Sequence, residues 1–191
     1  MPPKPKFTKD EIAAAALNIV KEEGVEALTA RNLGSRLGAS ARPIFTVFKS
    51  MEEVKWAARE LALQEFERYF ADFASYTPAF KHIGMQMVSY AIHEPELFKL
   101  LYMRDRSNES FDDKIYMKPL MEEVQKNLDL SEEDAYLFHL EMWIFVHGIA
   151  VMTATSYLEW DMDKVSEVLS DAYMGLKYRF SERTLSDNKP Q

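Results

Sequence analysis

The chain has 191 residues and no cysteine, which leaves room for one or two domains and excludes disulfides and thiolate metal sites. Its net charge of −8 argues against a protein that binds nucleic acid over its whole surface. Glycine is scarce, and the frequent alanine, leucine, glutamate, methionine and lysine favour helices. We find no alternating apolar run bounded by turn residues, so the sequence predicts an all-α protein.

The sequence has no pattern that predicts secretion or a membrane span. The first ten residues, MPPKPKFTKD, lack the apolar core of a signal peptide. No window approaches the roughly 20 uninterrupted apolar residues of a transmembrane helix. We therefore expect a cytoplasmic protein with no membrane partner.

Two helices are predicted close to the N-terminus. Thr8 and Glu11 form a capping-box pattern at the start of the first helix, and Gly24 is a typical residue to end it. Thr29 is a good N-cap for the second helix. Gly38 is expected to close that helix with a tight turn.

A third short helix is predicted after the glycine turn. Ser40 is placed to cap a helix that begins at Ala41, and Pro43 is tolerated because the first turn of a helix has no acceptor for its missing N–H. Ile44 and Phe48 lie four residues apart and are expected to pack on the first two helices. The second and third helices are short, and the glycine turn joins them. This arrangement is typical of the helix-turn-helix, which holds one helix in the DNA major groove.

The exposed side chains expected in this segment have the chemistry needed to bind duplex DNA. Residues through Lys55 include nine Lys/Arg against seven acids, and only a docking face has to neutralise phosphates. Arg42 can donate two hydrogen bonds to guanine, and Phe45 and Ala41 can contact thymine methyl groups. Hydroxyl and cationic groups can bind phosphates. The predicted DNA-binding residues are Thr29, Arg31, Ser40, Ala41, Arg42, Pro43, Phe45, Thr46 and Lys49.

The segment 8–58 combines several features in a fixed order, namely the Thr29 cap, the Leu33/Leu37 pair, the turn 38–40 and the run 44–53. In this order they resemble the DNA-binding domain of tetracycline-repressor-type (TetR family) transcriptional regulators. The resemblance implies a repressor that a small apolar or amphipathic ligand releases from its operator. The chain differs from the family pattern at four positions: Arg42, Pro43, Phe45 and Met51.

A larger helical body is predicted after the DNA-binding segment. The expected divisions are a DNA-binding domain at 1–50, a regulatory and dimerisation domain at 51–182, and a mobile tail at 183–191. The stretch from Ala135 to Tyr157 is apolar on nearly every face, so a helix there has to be buried on all sides. With the last helix it predicts a two-fold four-helix bundle between two copies of the chain, and such a homodimer would bind a palindromic operator.

Aromatic and methionine side chains of the body are candidates for a ligand pocket, because they adapt to irregular apolar molecules. An ordinary core is the alternative interpretation for each of them. Glu141 lies on an otherwise apolar stretch and is the candidate polar anchor, since a buried carboxylate needs a partner. The predicted pocket residues are Phe66, Phe70, Met87, Tyr90, Met117, Met121, Glu141 and Phe145.

An enzyme is the function with the least support in the sequence. On single helices, His82 and His93 would lie about 16 Å apart and His139 and His147 about 12 Å apart, so neither pair can share one metal. There is no histidine metal motif and no glycine-rich phosphate loop. We therefore expect no catalytic residues, no metal and no cofactor. Two alternatives stay open: a DNA-binding dimer without small-molecule input, and a helical interaction module or enzyme that no longer binds DNA.

Overall fold

The computed structural model describes residues 5–70, 79–105, 107 and 114–187. Within these ranges the chain is all-helical, as predicted, and it contains no strand. Two short 3₁₀ turns, Val25–Ala27 and Ile44–Thr46, accompany eight α-helices in the described residues. The helices are α1 Lys9–Glu23, α2 Ala30–Arg36, α3 Met51–Tyr69, α4 Ala79–His93, α5 Pro95–Tyr102, α6 Lys114–Leu128, α7 Glu132–Ala154 and α8 Met162–Asp187.

The first compact unit contains α1, α2, α3 and α5. Helix α1 packs against the other three, and Ile12 and Val20 on one of its faces are fully buried, as their helical spacing predicts. The capping box between Thr8 and Glu11 is confirmed, and so is the end of α1 at Gly24. Local sequence signals therefore determine where this central helix begins and ends.

The first unit does not end at residue 50, where a domain boundary was expected. Helix α3 belongs to it because Val54, Ala58 and Ala62 are fully buried and the helix packs against α1. Helix α5 also belongs to it, although α5 follows α4 in the sequence. Leu97 and Phe98 of α5 are fully buried, and the helix packs against α1 and α3. The first unit is therefore built from two separate segments of the chain.

The second compact unit contains α4, α6, α7 and α8. Helix α7 packs against the other three helices of this unit, with Phe138, Met142 and Ile149 in the core. Ser131 caps α7 by accepting a hydrogen bond from the Asp134 amide at 3.1 Å. The acidic residues Glu132, Glu133 and Asp134 form the first turn of the helix, where negative charge is favourable.

Helix α8 is longer than expected. A mobile tail was expected from residue 183, and α8 continues to Asp187. Arg183 accounts for the extension, because its guanidinium pairs with Asp134 of α7 at 3.1 Å and lies 5.3 Å from the Phe180 ring. These contacts tie the last turns of α8 to the unit.

Among the described residues, α7 is also long and apolar enough to cross a membrane, judged by length and composition alone. The sequence reading did not anticipate this. A single helix of this kind is weak support for a membrane span, because the core helices of soluble proteins share its composition. Helix α7 packs against three neighbouring helices, and 39% of its apolar window is buried.

Candidate nucleic-acid interface

The predicted third helix is replaced by a tighter turn. No α-helix begins at Ala41, so Ser40 caps none, and the backbone bends into the 3₁₀ turn Ile44–Thr46. The amides of Ile44 and Thr46 donate to the carbonyls of Ala41 and Pro43, at 3.1 and 3.2 Å. Pro43 explains the difference, because a proline disfavours the α conformation in the residue before it and has no N–H to donate.

The inner side of this segment agrees with the prediction. Ile44 and Phe48 are buried as expected, and the Phe48 amide donates to the Ile44 carbonyl at 2.9 Å. On the outer side, Arg42 is exposed and the large apolar ring of Phe45 is 46% exposed. Two apolar anchors thus hold a short segment from which Arg42, Phe45 and Thr46 are exposed.

Two glycines fix the path of the backbone before this segment. A Cβ atom added to Gly34 of α2 would lie 2.9 Å from the Ala41 nitrogen and 2.9 Å from the Ser40 carbonyl carbon. Helix α2 and the turn therefore approach as closely as two backbones can. Gly38 has a φ of +63°, which glycine adopts without strain. Sequence reasoning used Gly38 and missed Gly34, although a glycine inside so short a helix signals a close approach.

Several cations of the first unit are neutralised by carboxylates of the same unit. The Arg36 guanidinium contacts Glu22 and Glu23 at 2.7 Å, and the hydrogen bond to Glu22 raises the pKa of Arg36. The positive charge of Arg36 is therefore balanced by two carboxylates, which weakens its attraction for a phosphate. Three lysines are paired in the same way: Lys9 with Glu53, Lys21 with Glu65, and Lys55 with Glu52.

Arg31, Arg42 and Lys49 differ from these cations. All three are exposed, and none forms an ion pair in the part of the chain that the structure describes. The Glu53 carboxylate accepts a hydrogen bond from the Lys49 backbone N–H at 2.6 Å, and this bond is the main cause that lowers the pKa of Glu53. The charge of the Lys49 ammonium also lowers this pKa to a smaller extent, but the ammonium forms no ion pair among the described residues and can contact a phosphate.

The hydroxyl groups of the predicted set differ in what they can donate. Thr29 caps α2 by accepting from an amide of its first turn at 3.2 Å, so its own O–H remains a donor. The Thr46 O–H donates to the Pro43 carbonyl at 2.6 Å, so in this conformation its hydrogen is bonded within the segment. Ser40 is exposed, whereas Ala41 and Pro43 are half-buried.

The predicted ligand pocket is not assembled as expected. Glu141 is no buried anchor, because both of its carboxylate oxygens accept from Arg179 of α8, at 2.7 and 2.8 Å, near the surface. Phe145 is exposed and lines no interior space there. Phe66 belongs to the first unit, where it packs edge-on against Tyr102 with ring centroids 5.6 Å apart.

The other predicted pocket residues occupy ordinary core positions or lie outside the described side chains. Phe70, Met87 and Tyr90 are almost fully buried, and Met121 is half-buried. Met117 lies in α6, but its side chain is outside the described part of the structure. The alternative interpretation as core therefore fits Phe70, Met87 and Tyr90.

A cavity of about 180 Å³ lies elsewhere in the second unit, between α4, α7 and α8. Its walls are mainly apolar and include Phe80, Met142 and Val146, while Lys81 and Ser170 supply polar groups. None of the eight predicted pocket residues lines it. The sequence reading missed this cavity because its walls come from three helices that are distant in the chain.

No protein-family model matches this chain, and no curated protein matches it. In the described ranges, no three His, Asp or Glu side chains are grouped as metal ligands. The function is therefore inferred from the geometry of the segment 40–49 and from the charges around it.

Proposed function

We propose that this protein is a homodimeric transcriptional repressor that contacts double-stranded DNA with the segment 40–49. The observation that carries the proposal is the charge pattern of the first unit. Arg31, Arg42 and Lys49 are exposed without ion pairs in the described residues, whereas Lys9 and Arg36 are neutralised. Exposed, unpaired cations on a fixed backbone support phosphate binding, because each neutralised phosphate releases counterions.

Each exposed side chain is assigned a role by its chemistry. The Arg42 guanidinium donates two hydrogen bonds to O6 and N7 of a guanine, and the Phe45 ring contacts thymine methyl groups. Arg31, Lys49 and the Thr29 hydroxyl bind phosphates and fix the register of the protein on the duplex. In this proposal the 3₁₀ turn Ile44–Thr46, which directly follows Pro43, takes the place of the usual recognition helix.

We assign dimerisation to α7 and α8. Ile144 is 63% exposed, and Met174 and Tyr178 of α8 are exposed as well. A Cβ atom added to Gly148 of α7 or to Gly175 of α8 would meet no atom within 4 Å, so a second helix can approach either helix closely. Exposed apolar side chains concentrated on two neighbouring helices support a protein interface, and two-fold pairing would produce a four-helix bundle.

The dimer determines the form of the DNA target. Two segments related by a two-fold axis would bind a palindromic operator whose half-sites lie about 34–36 Å, or a multiple of that distance, apart. A small apolar or amphipathic ligand that alters the separation of the segments would release the DNA, and a coupling of ~1–3 kcal/mol is sufficient for regulation. We place this activity in the cytoplasm.

Fluorescence anisotropy with duplex fragments captured from genomic DNA tests the DNA-binding proposal. Lys49→Ala is expected to reduce the slope of log K against log salt by about 1, and Arg42→Ala to cost ~1–3 kcal/mol and relax the base preference. Lys164→Ala is the control, because Lys164 is a surface lysine of the second unit that pairs with Glu167. Equal binding by the wild type, Arg42→Ala and Lys49→Ala would contradict the proposal.

Light scattering on a sizing column tests the dimer separately. Ile144→Glu places a charge on the exposed face of α7 and is expected to give monomers, because a buried unpaired carboxylate is costly. Met103→Glu is the matched control, since Met103 is an exposed methionine of the first unit. A monomeric wild type, or a dimeric Ile144→Glu variant, would contradict the assignment.

A further inference from the structure

The cavity between α4, α7 and α8 is small. Its volume of about 180 Å³ exceeds the roughly 150 Å³ of an engineered apolar cavity that takes up benzene. It is well below the ~300 Å³ at which pockets for drug-sized ligands begin. Phe80 of α4, Met142 of α7 and Leu169 of α8 supply apolar walls. The cavity therefore has room for one aromatic ring or a short alkyl chain.

Gly84 lets α4 lie close to the other two helices at this point. A Cβ atom added to Gly84 would lie 3.1 Å from Val146 Cγ2 and 3.4 Å from Leu169 Cδ1. A larger residue at position 84 would therefore press into the side chains that form the walls. A second void of about 20 Å³ shares Phe80, Gly84, Met142 and Val146 with the cavity. The apolar space thus borders Gly84 on more than one side.

Lys81 is an exposed residue that lines this cavity and brings a positive charge to it. The Lys81 ammonium donates to the Ser170 hydroxyl oxygen at 3.1 Å, and the Ser170 O–H donates to the Ser166 carbonyl at 2.6 Å. In the part of the chain that the structure describes, Lys81 forms no ion pair. An ammonium has three donors, so two remain for a ligand.

Two other titratable groups, Glu123 and Tyr173, lie close to Phe80 in the cavity wall. Glu123 of α6 accepts a hydrogen bond from the Phe80 backbone N–H at 3.1 Å. Burial, and to a smaller extent the negative charge of Glu123, raises the pKa of Tyr173 above its ordinary value of 10. The Tyr173 phenol, which also lines the cavity, therefore stays protonated and is a second donor.

We propose that this cavity binds a small apolar carboxylic acid, with its ring or short chain against Phe80, Met142 and Leu169 and its carboxylate paired with Lys81. A single ammonium is a compact point charge and balances one carboxylate. A phosphate ester has more charge and is typically held by several cations or by bidentate arginines. Binding of the acid does not depend on the proposed DNA-binding function, whereas its role as the regulatory ligand rests on that function.

The chain connects this cavity directly to the first unit. Lys81 and Gly84 lie on α4, which ends at His93, and only Glu94 separates it from α5 of the first unit. A ligand that shifts α4 therefore acts on α5 through the covalent chain. This connection gives the acid a route by which it can alter DNA affinity.

Calorimetry with benzoate and benzamide tests the site on the full chain without DNA. The two compounds have nearly the same shape, but only benzoate is charged. Benzoate is expected to bind the wild type about tenfold more tightly than benzamide, since a hydrogen bond to a charged group is the stronger one. Lys81→Met keeps an unbranched side chain and is expected to remove this difference, whereas Lys164→Met is expected to retain it.

A ligand series tests the size of the cavity. Hexanoate is expected to bind, and dodecanoate is expected to gain no affinity over it, because its additional carbons do not fit. No binding of benzoate at millimolar concentration, or equal benzoate affinity in Lys81→Met and the wild type, would overturn the proposal. Thermal unfolding of Lys81→Met confirms that the variant is folded.

Anisotropy with bound DNA then tests the regulatory role alone. Benzoate is expected to change the DNA affinity of the wild type and not that of Lys81→Met. Benzoate that binds the protein and leaves the DNA affinity unchanged would refute the role of the acid as effector. Because the calorimetric assay contains no DNA, failure of the DNA-binding proposal and failure of the ligand site give different results.

Discussion

Gly34→Ala is the substitution that most sharply tests the path of the backbone before the segment 40–49. The added methyl group would lie 2.9 Å from two backbone atoms, at Ser40 and Ala41, and 3.1 Å from the Ala39 carbonyl oxygen. A favourable contact needs about 3.5–4.0 Å, so the turn has to move by roughly 0.5–1 Å. Backbone atoms cannot rotate away from the methyl group as a side chain can.

The energetic balance of Gly34→Ala has two opposing contributions. Alanine in the interior of a helix is favoured over glycine by about 0.5–1 kcal/mol. Overpacking against a fixed backbone costs about 1–3 kcal/mol. We therefore expect a net destabilisation of up to about 2.5 kcal/mol, and a value in the middle of this range corresponds to several degrees in melting temperature for a unit of this size. The displaced turn is expected to weaken DNA binding by roughly tenfold or more.

Urea unfolding and DNA anisotropy measure the two effects on the same preparation. Ser35→Ala is the matched control, because Ser35 is an exposed residue of α2 and the change adds no atom to the contact. It is expected to leave DNA affinity unchanged. A Gly34→Ala protein that is more stable than the wild type and binds DNA equally well would refute the close approach of α2 and the turn.

Three further predictions concern the first unit. Gly38→Ala is expected to cost about 1–2 kcal/mol in urea unfolding, because the φ of +63° is strained for alanine and no atom crowds the position; an unchanged midpoint would contradict this. Thr29→Ala removes the cap of α2 and is expected to cost about 0.5–2 kcal/mol, whereas a cost below the error of the unfolding measurement would show that the cap does not stabilise the unit. The backbone and side-chain hydrogen bonds from Thr8 lower the pKa of Glu11 below 4.5, so the stability that they contribute is complete above pH 4.5 and is lost as the pH falls below that value. Glu11→Gln is expected to flatten this acid limb, and an identical pH profile for the variant would exclude Glu11 as a cause.

Helix ends could be predicted from the sequence because they depend on neighbouring residues. The hydroxyl groups of Thr8, Thr29 and Ser131 each accept from an amide three residues later, and this spacing is visible in the sequence. The burial of Ile44 and Phe48 followed from their four-residue spacing in the same way. Within the candidate site, Arg42 and Phe45 are exposed as expected, whereas Ala41 and Pro43 are half-buried in a segment that forms no α-helix.

Interactions between distant segments could not be predicted in this way. Glu141 and Arg179 are 38 residues apart, and nothing in the local pattern of α7 indicates that its carboxylate is paired near the surface. From the sequence alone, Gly34 only lowers the expected stability of α2, because glycine is a poor helix former. The turn that packs against it becomes visible only in the structure. Pro43 was visible, but its effect on the third helix depended on how the chain leaves Gly38. Helix α5 packs in the first unit although α4 of the second unit precedes it, and the order of the helices in the sequence does not reveal this.

Selection from a pool of random duplex DNA, followed by sequencing of the bound molecules, tests the central claim most directly. We predict that the wild type enriches an inverted repeat with half-site centres about one helical turn, or a multiple of it, apart. Arg42→Ala is expected to lose the preference at one base pair of each half-site. Enrichment of no sequence, of a single unrepeated site, or of the same repeat with the same preference in Arg42→Ala would contradict the account.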